Sequence, residues 1–394
     1  MFGILVLAVC LTQFASDIYS PSLPAIAESL GTSNDMIQWS MSVYMFSAST
    51  SQLVYGPISD GYGRKKPLVF GLAIMFLGTI ICLFVNSIEQ LLLGRFIQGL
   101  GAGACAALWR SIFRDKYSGE DLAKFSSYLV IFMMFILPSA PVLGGYLQTF
   151  YGWRANFVFM LGYGAIAILG IIFFFSETNK EICPSKVTVS TTKSNYLELL
   201  KSPIFMGTAF SVFLSYGTLF SWFVVGPILV IDILNFSPEE FGWMTFCSAF
   251  FAYTACACIN SRYVKRFGLS NMLRFGWSFM ILAGFMMFFG WLTHGINIWW
   301  IAGPMFVFYF GTTFIWPNAF AVAFTPFGHI AGYARALYGF MQVGGASALS
   351  GVVAYLPDDN QSIFALIIII ASSSAWALYE VVNKINKRQV VSQR

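Results

Sequence analysis

The chain has 394 residues, 58% of them hydrophobic and only 10% charged, with a net charge of +5. A soluble domain carries about 25% charged residues, so this chain cannot clothe a water-facing surface and lipid must be its main solvent. With charge so sparse, and no basic patch interleaved with aromatics, a nucleic-acid-binding function is excluded.

A bilayer core needs about 20 residues of apolar helix per crossing. Such windows fall at roughly 3–28, 36–56, 68–86, 89–112, 124–148, 155–176, 203–231, 239–261, 270–291, 297–322, 333–355 and 362–384. The expected fold is an all-α membrane protein of twelve transmembrane helices in two six-helix bundles. The first stretch, Met1 to Ala15, has no basic leader and no clear cleavage site, and reads as a retained spanning helix. It runs into Ser16-Asp17-Ile18-Tyr19-Ser20-Pro21-Ser22-Leu23-Pro24, where Asp17 is the only acid deep within any expected span. A charge in the bilayer core costs about 3 kcal/mol or more, so an intramembrane acid normally faces a cavity or partner and has a function. The alternative is a static ion pair between two helices. Arg95, at similar depth in the fourth span, is the expected partner, with Gln98 one turn further on the same face.

Between the second and third spans lies Gly56-Pro57-Ile58-Ser59-Asp60-Gly61-Tyr62-Gly63-Arg64-Lys65-Lys66, a tight, basic, glycine-rich turn. Its glycines permit close helix approach and sharp turning. Asp60 suits a helix N-terminus, and the cations suit Asp60 or anionic headgroups. A plain basic anchor is the simpler alternative. In the fifth span, Pro138-Ser139-Ala140-Pro141-Val142-Leu143-Gly144-Gly145 removes backbone hydrogen bonds and side-chain bulk. Gly226-Pro227, Gly303-Pro304 and Trp316-Pro317 raise the same demand: neighbouring helices or water must satisfy the freed carbonyls. The longest polar stretch, from Glu177 to Ser202, reads as a linker whose end, Asn195 to Lys201, forms a short surface helix. The expected division is residues 1–177, a linker 178–202, and residues 203–394. Lys265-Arg266-Phe267-Gly268 echoes Tyr62-Gly63-Arg64 at the matching place in the second half, as expected for a duplicated bundle.

Basic residues gather in alternate loops: Arg64, Lys65, Lys66; Arg114, Lys116, Lys124; Lys180, Lys186, Lys193, Lys201; Arg262, Lys265, Arg266; Arg335; and Lys384, Lys387, Arg388, Arg394. The other loops hold Arg154 and acids such as Glu28, Asp35, Glu89, Asp232, Glu239, Asp358 and Asp359. The positive-inside rule then puts both termini in the cytoplasm. The seven cysteines show no zinc spacing and read as small apolar packing residues. His294 and His329 fall at loop positions without metal-ligand spacing. No nucleophilic triad or P-loop is present, so neither enzymatic catalysis nor a metal or other cofactor is expected.

The turn Gly56-x-x-x-Asp60-x-x-Gly63-Arg64-Lys65-Lys66, set between two of twelve spans, resembles the cytoplasmic signature of the major facilitator superfamily. Arg95-x-x-Gln98-Gly99-x-Gly101-Ala102-Gly103 resembles that family's arginine motif, often found in proton-coupled members. The Pro138–Gly145 run resembles its antiporter motif, with Ala140 where the family has Gly before Pro141. The Asp17 segment, Tyr151-Gly152-Trp153-Arg154 and Ala331-Gly332-Tyr333-Ala334-Arg335-Ala336-Leu337 resemble the bicyclomycin/chloramphenicol-resistance branch of drug–proton antiporters. The resemblance implies a multidrug exporter of the bacterial inner membrane, driven by the proton gradient and working by alternating access. Asp17, Arg95 and Gln98 would couple protons, and Gly56, Asp60, Gly63, Arg64 and Lys65 would form a conformational latch. The expected partners are a small-molecule substrate, protons and lipid, and the expected state is a monomer. A dedicated exporter of an endogenous metabolite such as a siderophore, or an importer or uniporter, remains the alternative. A sensor would be expected to carry a soluble output domain, and an intramembrane enzyme a second catalytic group beside Asp17. Cavity walls are expected from Tyr19, Tyr44, Gln52, Met134, Leu137, Tyr216, Trp222, Phe246, Trp316, Asn318 and Gln342, whose flat or adaptable surfaces suit varied lipophilic substrates.

Overall fold

A computed structural model describes residues 2–117, 119–179, 189–357 and 360–392. Lys180, Cys183, Lys186, Asp358, Asp359 and Arg394 lie outside the described residues, as do the side chains of Lys124, Lys387 and Arg388. The first span is broken. Helix α1 (Phe2–Asp17) gives way to a tight 3-10 turn at Ser20–Ser22 before α2 (Leu23–Leu30). Pro21 and Pro24 cannot donate the bonds that would join the two pieces. Helices α3 (Asn34–Tyr62), α4 (Lys65–Leu83), α5 (Ile88–Lys116), α6 (Gly119–Tyr151) and α7 (Arg154–Phe174) complete the first half. The second half is α9 (Pro203–Pro227), α10 (Pro238–Phe267), α11 (Leu269–His294), α12 (Trp299–Phe324), α13 (Ala331–Val353) and α14 (Gln361–Ser392). With α1 and α2 counted as one, these make twelve crossings in two six-helix bundles.

Ser87, Ser202 and Ser237 cap α5, α9 and α10 by accepting bonds from the N–H groups of Gln90, Phe205 and Glu240. Among the described residues, ten of the crossings are long and apolar enough to be recognised by that measure alone. Helix α3 is not, because Gln38, Ser40, Ser42, Ser47, Ser49, Ser51 and Gln52 turn its polar side into the protein. Large apolar side chains such as Phe46, Phe70, Leu77, Phe84 and Phe173 face outward, as lipid requires.

Each half repeats one packing scheme. Gly63 and Gly268 hold φ of +90° and +78°, a region essentially closed to side chains bearing Cβ. Gly71 and Gly276 stand equally far beyond them, and there α4 meets α5 and α11 meets α12. A Cβ on Gly71 would lie 3.0 Å from the Gly101 carbonyl, and one on Gly276 2.8 Å from that of Gly311. Small residues allow this approach in lipid, where packing rather than water drives association. The halves join along two seams, α3 against α13 and α6 against α10.

Three carbonyls freed by proline are met by side chains of other elements. Pro227 leaves the Phe223 carbonyl without its helical donor, and Ser20 Oγ donates to it at 2.6 Å. Pro304 frees Trp300, which accepts from Gln361 Nε2 at 3.3 Å. Pro57 frees Leu53, which accepts from Tyr196 Oη at 3.2 Å. Such replacement is what makes proline tolerable in a membrane helix. Tyr196 belongs to α8 (Val189–Lys201), so the linker helix is longer than the expected Asn195–Lys201. It also touches both halves, because the Tyr196 ring packs on Tyr333 of α13 at 5.5 Å. Cys10, Cys82, Cys105 and Cys256 are buried as expected, whereas Cys247 and Cys258 are exposed on the outer surface of α10 and do not pack inside. His294 closes α11, exposed and stacked on Trp300 at 5.4 Å; the side chain of His329 lies outside the described residues.

Candidate functional site

Between the halves lies a cavity of about 550 Å³. It takes its walls from α1, α3, α5, α6, α9, α10, α12 and α13. Its lining residues sit in the middle of these helices and toward the end that carries the linker. At the far end the halves are tied shut. Besides Ser20 on Phe223, Ser42 bonds Ser350 at 2.8 Å, Ser347 donates to the Ser42 carbonyl at 2.9 Å, and Thr149 bonds Glu239.

Asp17 lines the cavity, although its residue is only 3% exposed. Ser16 Oγ donates to its carboxylate at 2.5 Å. Among the described residues no cation lies within 4.0 Å of it, so the expected ion pair with Arg95 does not form. Arg95 instead sits fully buried behind α1. It donates to the Ala15 carbonyl at 2.9 Å and to Gln98 Oε1 at 2.6 Å, between the rings of Tyr19 (4.5 Å) and Tyr44 (4.2 Å). Gln98 passes the chain of bonds to Thr79 at 2.9 Å. Arg95, braced by Gln98, therefore grips the backbone just before Asp17 and leaves its carboxylate to the cavity.

Gln52, Tyr216, Trp316 and Gln342 line the cavity, as does Pro138 of the antiporter-like run. Five of the expected wall residues do not. Tyr19 and Tyr44 are taken up by Arg95. Trp222 is buried between Phe241 and Phe364, each at 5.8 Å. Phe246 packs on Phe135 at 5.7 Å in the α6–α10 seam. Asn318 stands behind the wall and donates to Asn260, which does line it, at 2.8 Å. The side chains of Met134 and Leu137 lie outside the described residues. Sequence reasoning missed Arg110, Trp109, Phe220, Thr245, Tyr253 and Tyr309, all of which line the space. The Thr245 hydroxyl, Tyr309 hydroxyl and Trp316 indole N–H are buried there without a hydrogen-bond partner.

The rest of the antiporter-like run lies at the junction of both halves. Ala140 is buried, and Gly242 of α10 packs on the Pro141 carbonyl. A Cβ on Gly145 would collide with the Pro238 carbonyl. Gly144 lets α6 reach the carbonyl of Ile18, immediately after Asp17, so closely that no Cβ would fit. One helix thus touches both the opposite half and the carboxylate-bearing turn.

At the linker end, Arg64 forms an ion pair with Asp60 and bonds Asp115 at 2.8 Å and Ser59 at 2.7 Å. Burial pushes the Arg64 guanidinium down, but the hydrogen bond and charge of Asp115 with those of Asp60 outweigh it and hold the group above its ordinary value. Asp60 does not cap α4, the helix that follows it. That task falls to Glu177, which accepts from the N–H groups of Arg64 at 2.8 Å and Lys65 at 3.0 Å. Burial raises the Glu177 carboxyl, and backbone N–H donors, Arg64 first, overcome this and hold it below the ordinary range. Asp60 instead faces the first turn of α13, where a Cβ on Gly332 would lie 3.2 Å from its carboxylate. A helix N-terminus favours an anion there. Gly56, one turn before, brings α3 against Ala336 of the same helix, and Lys65 Nζ donates to the Ile172 carbonyl at 2.9 Å. Among the described residues no cluster of three or more His, Cys, Asp or Glu side chains could hold a metal ion.

A family model described as Major Facilitator Superfamily matches residues 5–380. The chain is 28% identical to the bicyclomycin resistance protein homolog of Haemophilus influenzae, over 89% of this chain and 87% of that one. It is also 28% identical to multidrug resistance protein D of Escherichia coli, over 92% and 90% of the two chains. Among solved structures, a peptide transporter POT in complex with sulfate superposes with a TM-score of 0.79, covering 98% of this chain and 94% of that one at 12% identity, a likeness of fold alone.

Proposed function

The chain belongs to the Major Facilitator Superfamily, and we propose that it is a proton-coupled exporter of lipophilic small molecules in a bacterial inner membrane. The names of its relatives, bicyclomycin resistance and multidrug resistance, support this reading. The observation that carries it is Asp17: a carboxylate on the wall of a central, aromatic-lined cavity, with no cation in contact among the described residues. A bare carboxylate in such a place is costly. A proton relieves that cost, and a substrate that fills the same cavity competes with the proton's arrival.

The mechanism follows. A proton arriving from outside neutralises Asp17, and substrate arriving from inside competes with it. Arg95 and Gln98 act as positioning residues that hold the backbone behind the carboxylate. Occupancy of Asp17 reaches α6 through the close contact at Gly144, and α6 shares a seam with the other half. For the cavity to face the far side, the ties of Ser20, Ser42 and Thr149 must break. For it to face the linker side, Asp60 must leave the first turn of α13. We place the linker and both termini in the cytoplasm, treat residues 1–177 and 203–394 as the two moving units joined by 178–202, and take the working unit as a monomer. The purified chain in proteoliposomes should move a panel of lipophilic drugs uphill only when a pH gradient is imposed. Equal movement without the gradient would refute the coupling, and movement of a single metabolite alone would refute the breadth.

A further inference from the structure

Arg110 lines the linker-side part of the cavity. By the helical rise it stands about 22 Å along α5 from the level of Arg95 and the Asp17 turn. Its guanidinium lies over the rings of Trp109 at 4.3 Å and Phe320 at 5.5 Å. Among the described residues it has no acid within 4.0 Å. Opposite, on α13, Arg335 spends its Nε on the Ala331 carbonyl at 3.1 Å, while its Nη2 is buried without an acceptor. The neighbouring Tyr338 hydroxyl is also unpartnered, and so is the Trp316 N–H in the cavity wall. An arginine has only donors, and so does an indole. Two cations thus stand where α5 and α13 meet, with the Tyr338 hydroxyl and the Trp316 N–H beside them, and among the described residues neither cation forms an ion pair. Arg335 Nη2 and the Trp316 N–H are buried donors left without an acceptor, which is costly. Arg110 presents an open guanidinium to the cavity, so a single anionic group would engage several donors at once.

We propose that the linker-side end of the cavity receives the anionic group of the transported molecule, so that the substrates are organic anions with a ring-bearing apolar body. The carboxylate, sulfonate or phosphate meets Arg110, with Arg335 and Tyr338 closing round it. The body lies along Trp109, Phe220 and Trp316 toward Asp17. This rests on the exporter reading for the direction of movement, but the site itself is a statement about binding. It also departs from what Asp17 alone suggests, since a lone carboxylate would select cations.

The test uses the full chain in detergent and three probes with one skeleton: 2-naphthoic acid, 2-naphthamide and 2-naphthylmethylamine. Equilibrium binding should rank the acid at least tenfold tighter than the amine. Arg110→Gln should weaken the acid tenfold or more and the amide less than threefold, while Arg110→Lys should restore part of the loss. Preference for the amine, or acid affinity within threefold of the original in R110Q, would overturn the proposal. Should R110Q lose amide binding as well, R110K decides: an acid preference that persists supports the anion site, and one that vanishes overturns it. Uphill transport separates the two claims. Acid bound through Arg110 but never moved against a gradient would sink the exporter reading and leave the anion site standing.

Discussion

The linker-end corners of the two halves share a backbone and differ in charge. Gly63 and Gly268 turn the chain the same way between the second and third helices of each half. After Gly63 the turn is held by Arg64, Asp60, Asp115 and Glu177, and it reaches across to α13. At Gly268 a Cβ would meet nothing within 4 Å among the described residues. The second half fastens its third helix to its sixth elsewhere, through Arg274 of α11 and Glu380 of α14 at 2.6 Å. Both corners tie the same pair of helices, but only the first also spans the halves. Duplication has kept the shape that glycine permits, while the electrostatics have been rebuilt.

The difference can be broken in graded steps. Arg64→Ala should be the most damaging, because it leaves Asp115 and Asp60 without their cation. The Arg64 side chain is 7% exposed, Asp115 18% and Asp60 42%, so the loss, summed over two partners, lies between about 1 kcal/mol for a surface pair and about 3 kcal/mol for a buried one. Thermal unfolding in detergent should show it, together with loss of transport. Gly63→Ala comes next. Its backbone strain is about 1–3 kcal/mol, and the new Cβ would lie 2.5 Å from Glu177 Oε2. Gly268→Ala carries the strain without the collision and should unfold later than Gly63→Ala. If the two melt together, Glu177 contributes nothing to the first corner. Arg274→Gln removes a pair whose side chains are 38% and 28% exposed, and should cost no more than about 1 kcal/mol.

The smallest effect is that of pH. Glu177 is held below its ordinary range, so its share of stability is complete above the unfolded value of about 4.3 and fades as pH falls through the lowered one. Glu177→Gln should flatten that acid limb of a melting-temperature profile, and an unaltered limb would mean other carboxylates produce it.

Much of this was legible in the sequence because lipid makes strong demands on composition. The twelve crossings, the linker, the position of the Gly56–Lys66 turn and the depth of Asp17 all follow from where charge is and is not. What stayed hidden was direction and partnership. In a membrane helix both faces are apolar, so nothing in the spacing told Tyr19 and Tyr44, which clasp Arg95, from Tyr216, which faces the cavity. Arg95 and Asp17 share a depth, yet α1 lies between the guanidinium and the cavity. Asp115 and Glu177 join Arg64 from distant parts of the chain, a pairing no local pattern carries. Arg110 falls within the expected span 89–112, and nothing in the spacing marked it as a cavity residue. Helix α5 runs on to Lys116 and carries Arg110 on the cavity wall.

The central claim is that Asp17 exchanges a proton for cargo. Asp17→Asn keeps the size of the side chain and its bond from Ser16 but cannot carry the exchangeable proton. In proteoliposomes with an imposed pH gradient, uphill transport should vanish in this variant, while exchange of labelled for unlabelled substrate across the same membrane persists. Uphill transport at the level of the unaltered chain would contradict the account.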